Sequence, residues 1–169
     1  SEIRFGDFDG DGKTDVFRST AGKWYMSWSS TGAWKSMGSS GYSPSSFRVG
    51  DFNGDGCDDI FCVSSGKWYV SHGSSRRTLG YWTNLGSSGT RVTDLRFGDF
   101  DGNLVTDIFS ITNGVGQVSW GQRKGSWTTG SYIGHSSWSS FGSFPNGLAA
   151  VRVGNFNKDR ITDFLSVTA

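Results

Sequence analysis

Four nine-residue stretches dominate this chain: DFDGDGKTD (Asp7 to Asp15), DFNGDGCDD (Asp51 to Asp59), DFDGNLVTD (Asp99 to Asp107) and NFNKDRITD (Asn155 to Asp163). They hold 13 of the 15 Asp and Glu residues. Carboxylates this dense repel one another unless a cation sits among them. A repeat protein whose loops hold a hard divalent metal is therefore expected.

The stretches start at 7, 51, 99 and 155, so successive copies lie 44, 48 and 56 residues apart. A period of ~40–50 residues with four strands per repeat marks a propeller blade. Each stretch follows a short strand, as in IRFGDF (Ile3 to Phe8), and precedes another, as in DVFRST (Asp15 to Thr20). A third strand is read at Lys23 to Trp28, Lys67 to His72 and Val115 to Trp120. A fourth is read at Ala33 to Gly38, Tyr81 to Gly86 and Ser126 to Ser131. Aromatic and β-branched runs between Gly and Ser turns agree with an all-β chain. The expected fold is a single β-propeller domain of antiparallel four-stranded blades, with repeats at about 1–46, 47–93, 94–148 and 149–169. About three and a half blades leave sheet edges unpaired. The remainder of a larger propeller, such as a seven-bladed ring, or a second copy of the chain is expected to complete the ring.

Positions 1, 3, 5 and 9 of each loop carry oxygen side chains, and position 7 offers a backbone carbonyl. The first set is Asp7, Asp9, Asp11, Lys13 (carbonyl) and Asp15; the second is Asp51, Asn53, Asp55, Cys57 (carbonyl) and Asp59. The third is Asp99, Asp101, Asn103, Val105 (carbonyl) and Asp107; the fourth is Asn155, Asn157, Asp159, Ile161 (carbonyl) and Asp163. Six to eight oxygens in a flexible shell suit Ca²⁺ better than Mg²⁺. Leu104 replaces a turn glycine in the third loop, and Lys158 and Arg160 oppose a bound cation in the fourth. The expected role of the ion is structural.

The phrases FGDFDGDGKTDVF, VGDFNGDGCDDIF and FGDFDGNLVTDIF resemble FG-GAP/VCBS-type repeats. The resemblance implies a β-propeller with Ca²⁺ in the loop between the first two strands of each blade. It spans integrin α-chain head domains, propeller lectins and accessory modules of secreted hydrolases, so it implies a fold and a metal more firmly than an activity.

The chemistry-bearing inventory outside the loops is thin. Only Glu2 and Asp94 remain as carboxylates, and neither His72 nor His135 sits in a nucleophile or zinc pattern. A glycosidase needs a facing carboxyl pair, so no enzyme is expected. The 16 Lys and Arg form no dense run, which argues against a nucleic-acid partner. No apolar stretch approaches the ~20 residues of a membrane span. The absence of a leader before the first repeat fits a processed, extracellular protein. Cys57 and Cys62 either form one local bridge or stay as thiols. Aromatic pockets are the remaining candidates for a ligand, with Trp28, Trp34, His72, Trp82, Trp120, Trp127 and Trp138 as candidate residues. Tyr132 to Gly147 is read as a long connection suited to recognition. A lectin-like module that binds a glycan or glycoprotein is expected. The alternatives are a protein-interaction or adhesion propeller, or a non-catalytic part of a hydrolase.

Overall fold

The computed structural model describes residues 2–87, 89–123 and 138–166. It divides into two compact units, Ser1–Asp51 with Gly56–Gly89, and Phe52–Asp55 with Thr90–Ala169. Each unit is built from antiparallel sheets in which consecutive strands are neighbours. Three four-stranded sheets and one two-stranded sheet give about three and a half blades of the β-propeller type. Among the described residues there is no α-helix. No helix among these residues is long and apolar enough to cross a membrane.

The first unit holds β1 (Glu2–Gly6), β2 (Asp15–Thr20), β3 (Lys23–Ser27) and β4 (Lys35–Ser39) in one sheet. Its second sheet holds β5 (Arg48–Gly50), β6 (Asp59–Ser64), β7 (Lys67–Ser71) and β8 (Thr83–Ser87). Alternation drives the packing: the inward residues Phe17, Trp24 and Met26 meet Ile60 and Cys62 from the second sheet, and Phe47 just before it, in one core. Phe17, Trp24 and Phe47 contact edge to face, with centroids 5.4 to 6.1 Å apart.

The second unit holds β9 (Arg96–Gly98), β10 (Asp107–Thr112), β11 (Val115–Ser119) and β12 (Ser139–Ser143), then the pair β13 (Val151–Gly154) and β14 (Asp163–Ser166). Its core joins Phe100, Phe109, Val118 and Val151, with Phe144 and Phe164 packed against them.

Local chemistry explains the hairpins. The β2–β3 turn places Ala21 and Gly22 at φ 49° and 73°, both positive as a two-residue type I′ turn requires. Ser65–Gly66 and Asn113–Gly114 repeat it. Each third strand then pairs with its fourth through a register shift, opposite Gly38, Gly86 and Gly142. Those glycines sit at φ 109°, 140° and 141°.

The fourth strand of the third sheet is Ser139–Ser143, inside the segment read as a recognition connection. Ser126 to Ser131 lies outside the described residues, as does His135. The displacement has a legible cause. Phe141-Gly142-Ser143 repeats Met37-Gly38-Ser39 and Leu85-Gly86-Ser87, and the bulge needs that glycine. Trp24 and Trp68 pair with Gly38 and Gly86, but Gly116 pairs with Gly142. The Phe144 ring fills the vacated space: a Cβ on Gly116 would lie 2.5 Å from it.

The strand-one arginines fasten each sheet to the 3-10 turn before it. Arg48 donates to the carbonyls of Phe47 and Ser45, Arg96 to those of Leu95 and Thr93, and Arg152 to those of Val151 and Ala149. Arg4 instead reaches the Phe47 and Pro44 carbonyls, and Arg96 also reaches that of Leu148, so these two join neighbouring sheets within their units.

Candidate functional site

The four acidic loops share one backbone form. Positions 4 and 6 take positive φ in all of them: Gly10 and Gly12, Gly54 and Gly56, Gly102 and Leu104, Lys158 and Arg160. Side-chain oxygens hold that form. The position-1 carboxylate accepts the position-6 N–H, at 2.8 Å from Gly12 to Asp7, 2.8 Å from Gly56 to Asp51 and 2.9 Å from Leu104 to Asp99. In the fourth loop Asn155 accepts from Lys158 instead, at 2.6 Å. The position-3 oxygen accepts the position-5 N–H in each loop, from Asp9, Asn53, Asp101 and Asn157. These are Asx turns, which explains why Asp and Asn recur at these positions.

Position 9 has a second job. The buried Asp15 carboxylate accepts the N–H groups of Phe8 at 2.9 Å and Ser29 at 2.6 Å. Asp107 does the same for Phe100 at 2.7 Å and Gly121 at 2.6 Å. Each ties the start of the loop to the chain leaving the third strand. Burial pushes Asp15 upward, and the Asp9 and Asp11 carboxylates add to it against those two N–H donors. Burial likewise pushes Asp107 up to about 6, with Asp101 and Asp99 adding to the shift. Asp58, at position 8, is pushed up by burial first and then by Asp51, Asp7 and Asp15. It accepts the Asp7 N–H at 2.7 Å and donates its own N–H to the Asp7 carbonyl. Thr162 repeats that reciprocal clasp on Asp99. Position 8 of one loop thus grips position 1 of the loop before it.

Carboxylate oxygens of Asp7, Asp9 and Asp15 lie within 4.8 Å of one another, as do those of Asp99, Asp101 and Asp107. Two oxygens bound to one ion at ~2.4 Å can be at most ~4.8 Å apart, so both triads fit a hard cation. Asp11 lies apart from its triad and takes Lys13 at 3.4 Å, Ser29 at 3.1 Å and Arg77 at 3.6 Å. In the third loop Asn103 turns its amide to Asp101 at 3.1 Å. The second loop is divided between the units. In the first unit Asp59 accepts the Gly73 N–H at 2.9 Å and pairs with His72 Nδ1 at 3.1 Å. In the second, Asn53 donates to Asp55 at 3.1 Å. In the fourth loop Asn157 donates to Asp159 at 2.9 Å. The position-7 side chains of Cys57 and Val105 are buried anchors, whereas Lys13 is exposed.

The candidate aromatic residues separate into distinct roles. Trp28 is buried, with the Arg77 guanidinium 5.7 Å from its ring. His72, which directly follows the third strand where Trp28 and Trp120 stand in the other repeats, bonds buried Asp59. Trp120 packs with Phe141 at 6.1 Å. Trp34 is exposed under the Arg18 guanidinium, 4.4 Å away. Trp138 is half-buried, and Trp127 lies outside the described residues.

Trp82 lines a groove of about 250 Å³. Trp24, Met37, Gly38, Ser39, Leu79, Gly80 and Tyr81 complete it, and no charged side chain enters it. Trp82 is fixed by edge contacts with Trp24 and Tyr42 and by donating to Ser40 Oγ at 3.2 Å. Tyr81 is 98% exposed at its rim. Trp24 Nε1 is buried and has no hydrogen-bond partner among the described residues. Tyr81 and Trp24 were not expected as ligand residues; the Tyr81-Trp82 pair was the available signal. Cys57 and Cys62 are buried and not bridged to each other, and burial pushes the Cys62 thiol up to about 12.

A family model for an FG-GAP-like repeat matches residues 7–62 and 51–110. A chain of the Photorhabdus luminescens Tc holotoxin pore is similar in fold, with a TM-score of 0.68 at 16% identity. The match covers 96% of this chain but only 8% of the toxin chain. No curated protein matches.

Proposed function

Because the chain belongs to the FG-GAP-like repeat family, we propose that it is an extracellular, calcium-stabilised binding module whose ligand is a neutral carbohydrate. The groove carries the carbohydrate reading. Its walls are aromatic and its lining is uncharged. A sugar ring offers an apolar face to Tyr81 and Trp82. At about 250 Å³ the space suits one or two rings rather than a peptide segment. Propeller-type blades without a spare carboxyl pair suit binding rather than hydrolysis.

Calcium is assigned to the Asp7, Asp9, Asp15 triad and to the Asp99, Asp101, Asp107 triad, because their oxygens are close enough to share one ion. When bound, the ion would neutralise carboxylates that burial otherwise disfavours. Extracellular calcium modules work at Kd values of ~10⁻⁴–10⁻³ M, which these loops need not exceed.

A glycan-array screen of the intact chain, in calcium and after chelation, tests the reading. Binding to neutral glycans that Tyr81→Ala abolishes is expected. Tyr81 is almost wholly exposed, so that change leaves the fold intact. An array with no hit, or binding indifferent to Tyr81→Ala, contradicts the carbohydrate assignment.

A further inference from the structure

The first acidic loop already contains a cation. Arg77 lies 68 residues along the chain from Asp9, yet its Nε donates to Asp9 Oδ2 at 2.7 Å. Its Nη2 lies 3.6 Å from Asp11 Oδ2. The Asp9 side chain is only 3% exposed, so its charge needs a partner that water does not supply. The chain invests local strain in this placement. Arg77 sits at φ 59°, a region that side-chain-bearing residues rarely enter. Its N–H donates to the Ser74 carbonyl at 2.8 Å, and Ser74 Oγ shares a hydrogen bond with Thr78 Oγ1 at 2.7 Å. Ser74 N–H in turn donates to the Phe8 carbonyl at 3.0 Å, which moors the turn to the loop itself.

The third loop differs. Arg123 follows the third strand of the same sheet, whereas Arg77 follows that of the sheet after its loop, and the Arg123 Nε donates to the Asn103 carbonyl at 3.1 Å rather than to a carboxylate. Asp101, the counterpart of Asp9, has the Asn103 amide beside it instead. The two triads thus have similar carboxylates and different internal counter-charges.

We propose that Arg77 is an exchangeable counter-ion that sets the calcium affinity of the first loop. In the metal-free protein its guanidinium neutralises Asp9. An arriving divalent ion needs the same carboxylate and repels the guanidinium. Arg77 is 48% exposed, so its guanidinium can leave Asp9 and its place 5.7 Å from the Trp28 ring and swing into solvent. Releasing that charge-assisted bond weakens metal binding, so the first loop fills at higher calcium than it would without Arg77. The proposal rests on the calcium assignment above.

The test is calcium titration calorimetry of the full chain in an Asp101→Asn background, which weakens the third loop, with Arg77 or Arg77→Met. Thermal unfolding of the same proteins in chelator is measured alongside. Arg77→Met is expected to tighten calcium binding about tenfold, the equivalent of one charge-assisted bond. It is also expected to lower the melting temperature in chelator, and calcium should restore it. Arg77→Lys keeps the charge but loses the Nε geometry and should fall between. Unchanged or weaker binding in Arg77→Met, with calcium still bound by the parent, overturns the proposal and leaves the calcium assignment standing. No calcium binding by any of these proteins, nor by the unmutated chain, removes both. A variant too unstable to titrate in chelator is read in saturating calcium, where a melting temperature still below the parent's also overturns the exchange.

Discussion

Acidifying the metal-free protein from pH 8 to pH 5 is expected to stabilise it, the reverse of ordinary acid denaturation. Most carboxylates in folded proteins have lowered pKa values and lose stabilising interactions as they protonate. Asp107 behaves in the opposite sense, because burial lifts it from 3.8 to about 6. Its native form binds a proton more tightly than its unfolded form. The resulting stability is fully present below the unfolded pKa and is lost as pH rises through the folded one. Linkage between those two values gives a gain of between about 1 and 2 kcal/mol from pH 8 to pH 5 for this residue alone. Asp15 and Asp58 are shifted in the same direction and add to it. For a chain of this size that is a rise of roughly 3–6 °C in melting temperature. The assay is thermal unfolding followed by tryptophan fluorescence, in resin-stripped buffers from pH 5 to pH 8. Saturating calcium should abolish or reverse the slope, because the ion holds the carboxylates ionised. Asp107→Asn should reduce it, leaving the part that Asp15 and Asp58 contribute. A metal-free protein whose stability rises from pH 5 to pH 8 would refute the reasoning.

Three further outcomes follow from particular residues. Asp9→Ala should erase the melting-temperature gain that calcium gives at the first loop while leaving the gain from the third, as read by calcium-dependent unfolding of the variant. Gly116→Ala should destabilise by about 1–3 kcal/mol, because the new Cβ meets the Phe144 ring, and Phe144→Leu should recover part of the loss in denaturant unfolding. Leu104 is 61% exposed at φ 67°, so Leu104→Gly should be neutral or stabilising by up to about 1 kcal/mol. A loss beyond that range would show that its side chain packs against something.

Much of the fold was legible because the loops are local. The Asx turns of Asp9 and Asp101 and the paired positive φ of Gly10 and Gly12 need only nearby residues, so a nine-residue pattern encodes them. The hairpin turns Ala21–Gly22, Ser65–Gly66 and Asn113–Gly114 are local in the same way, which explains why the second and third strands stand out in the sequence. The fourth strand is less legible. Its signature is a glycine opposite a bulge, so Gly142 is the informative residue for the strand at Ser139–Ser143. Longer-range features leave weaker traces. Nothing near Asp9 announces Arg77, and nothing in the tryptophan count separates Trp28, packed under a guanidinium, from Trp82 at the wall of a groove. The replacement of Trp24 and Trp68 by Gly116 marks an internal exchange, since Phe144, 28 residues later, takes the space.

Calcium is expected to sit among these clustered aspartates. Anomalous diffraction from crystals grown in millimolar calcium tests it most directly. Peaks ~2.3–2.6 Å from the carboxylate oxygens of Asp7, Asp9 and Asp15, and of Asp99, Asp101 and Asp107, are the expected result. Ordered loops with no peak at either triad would contradict it.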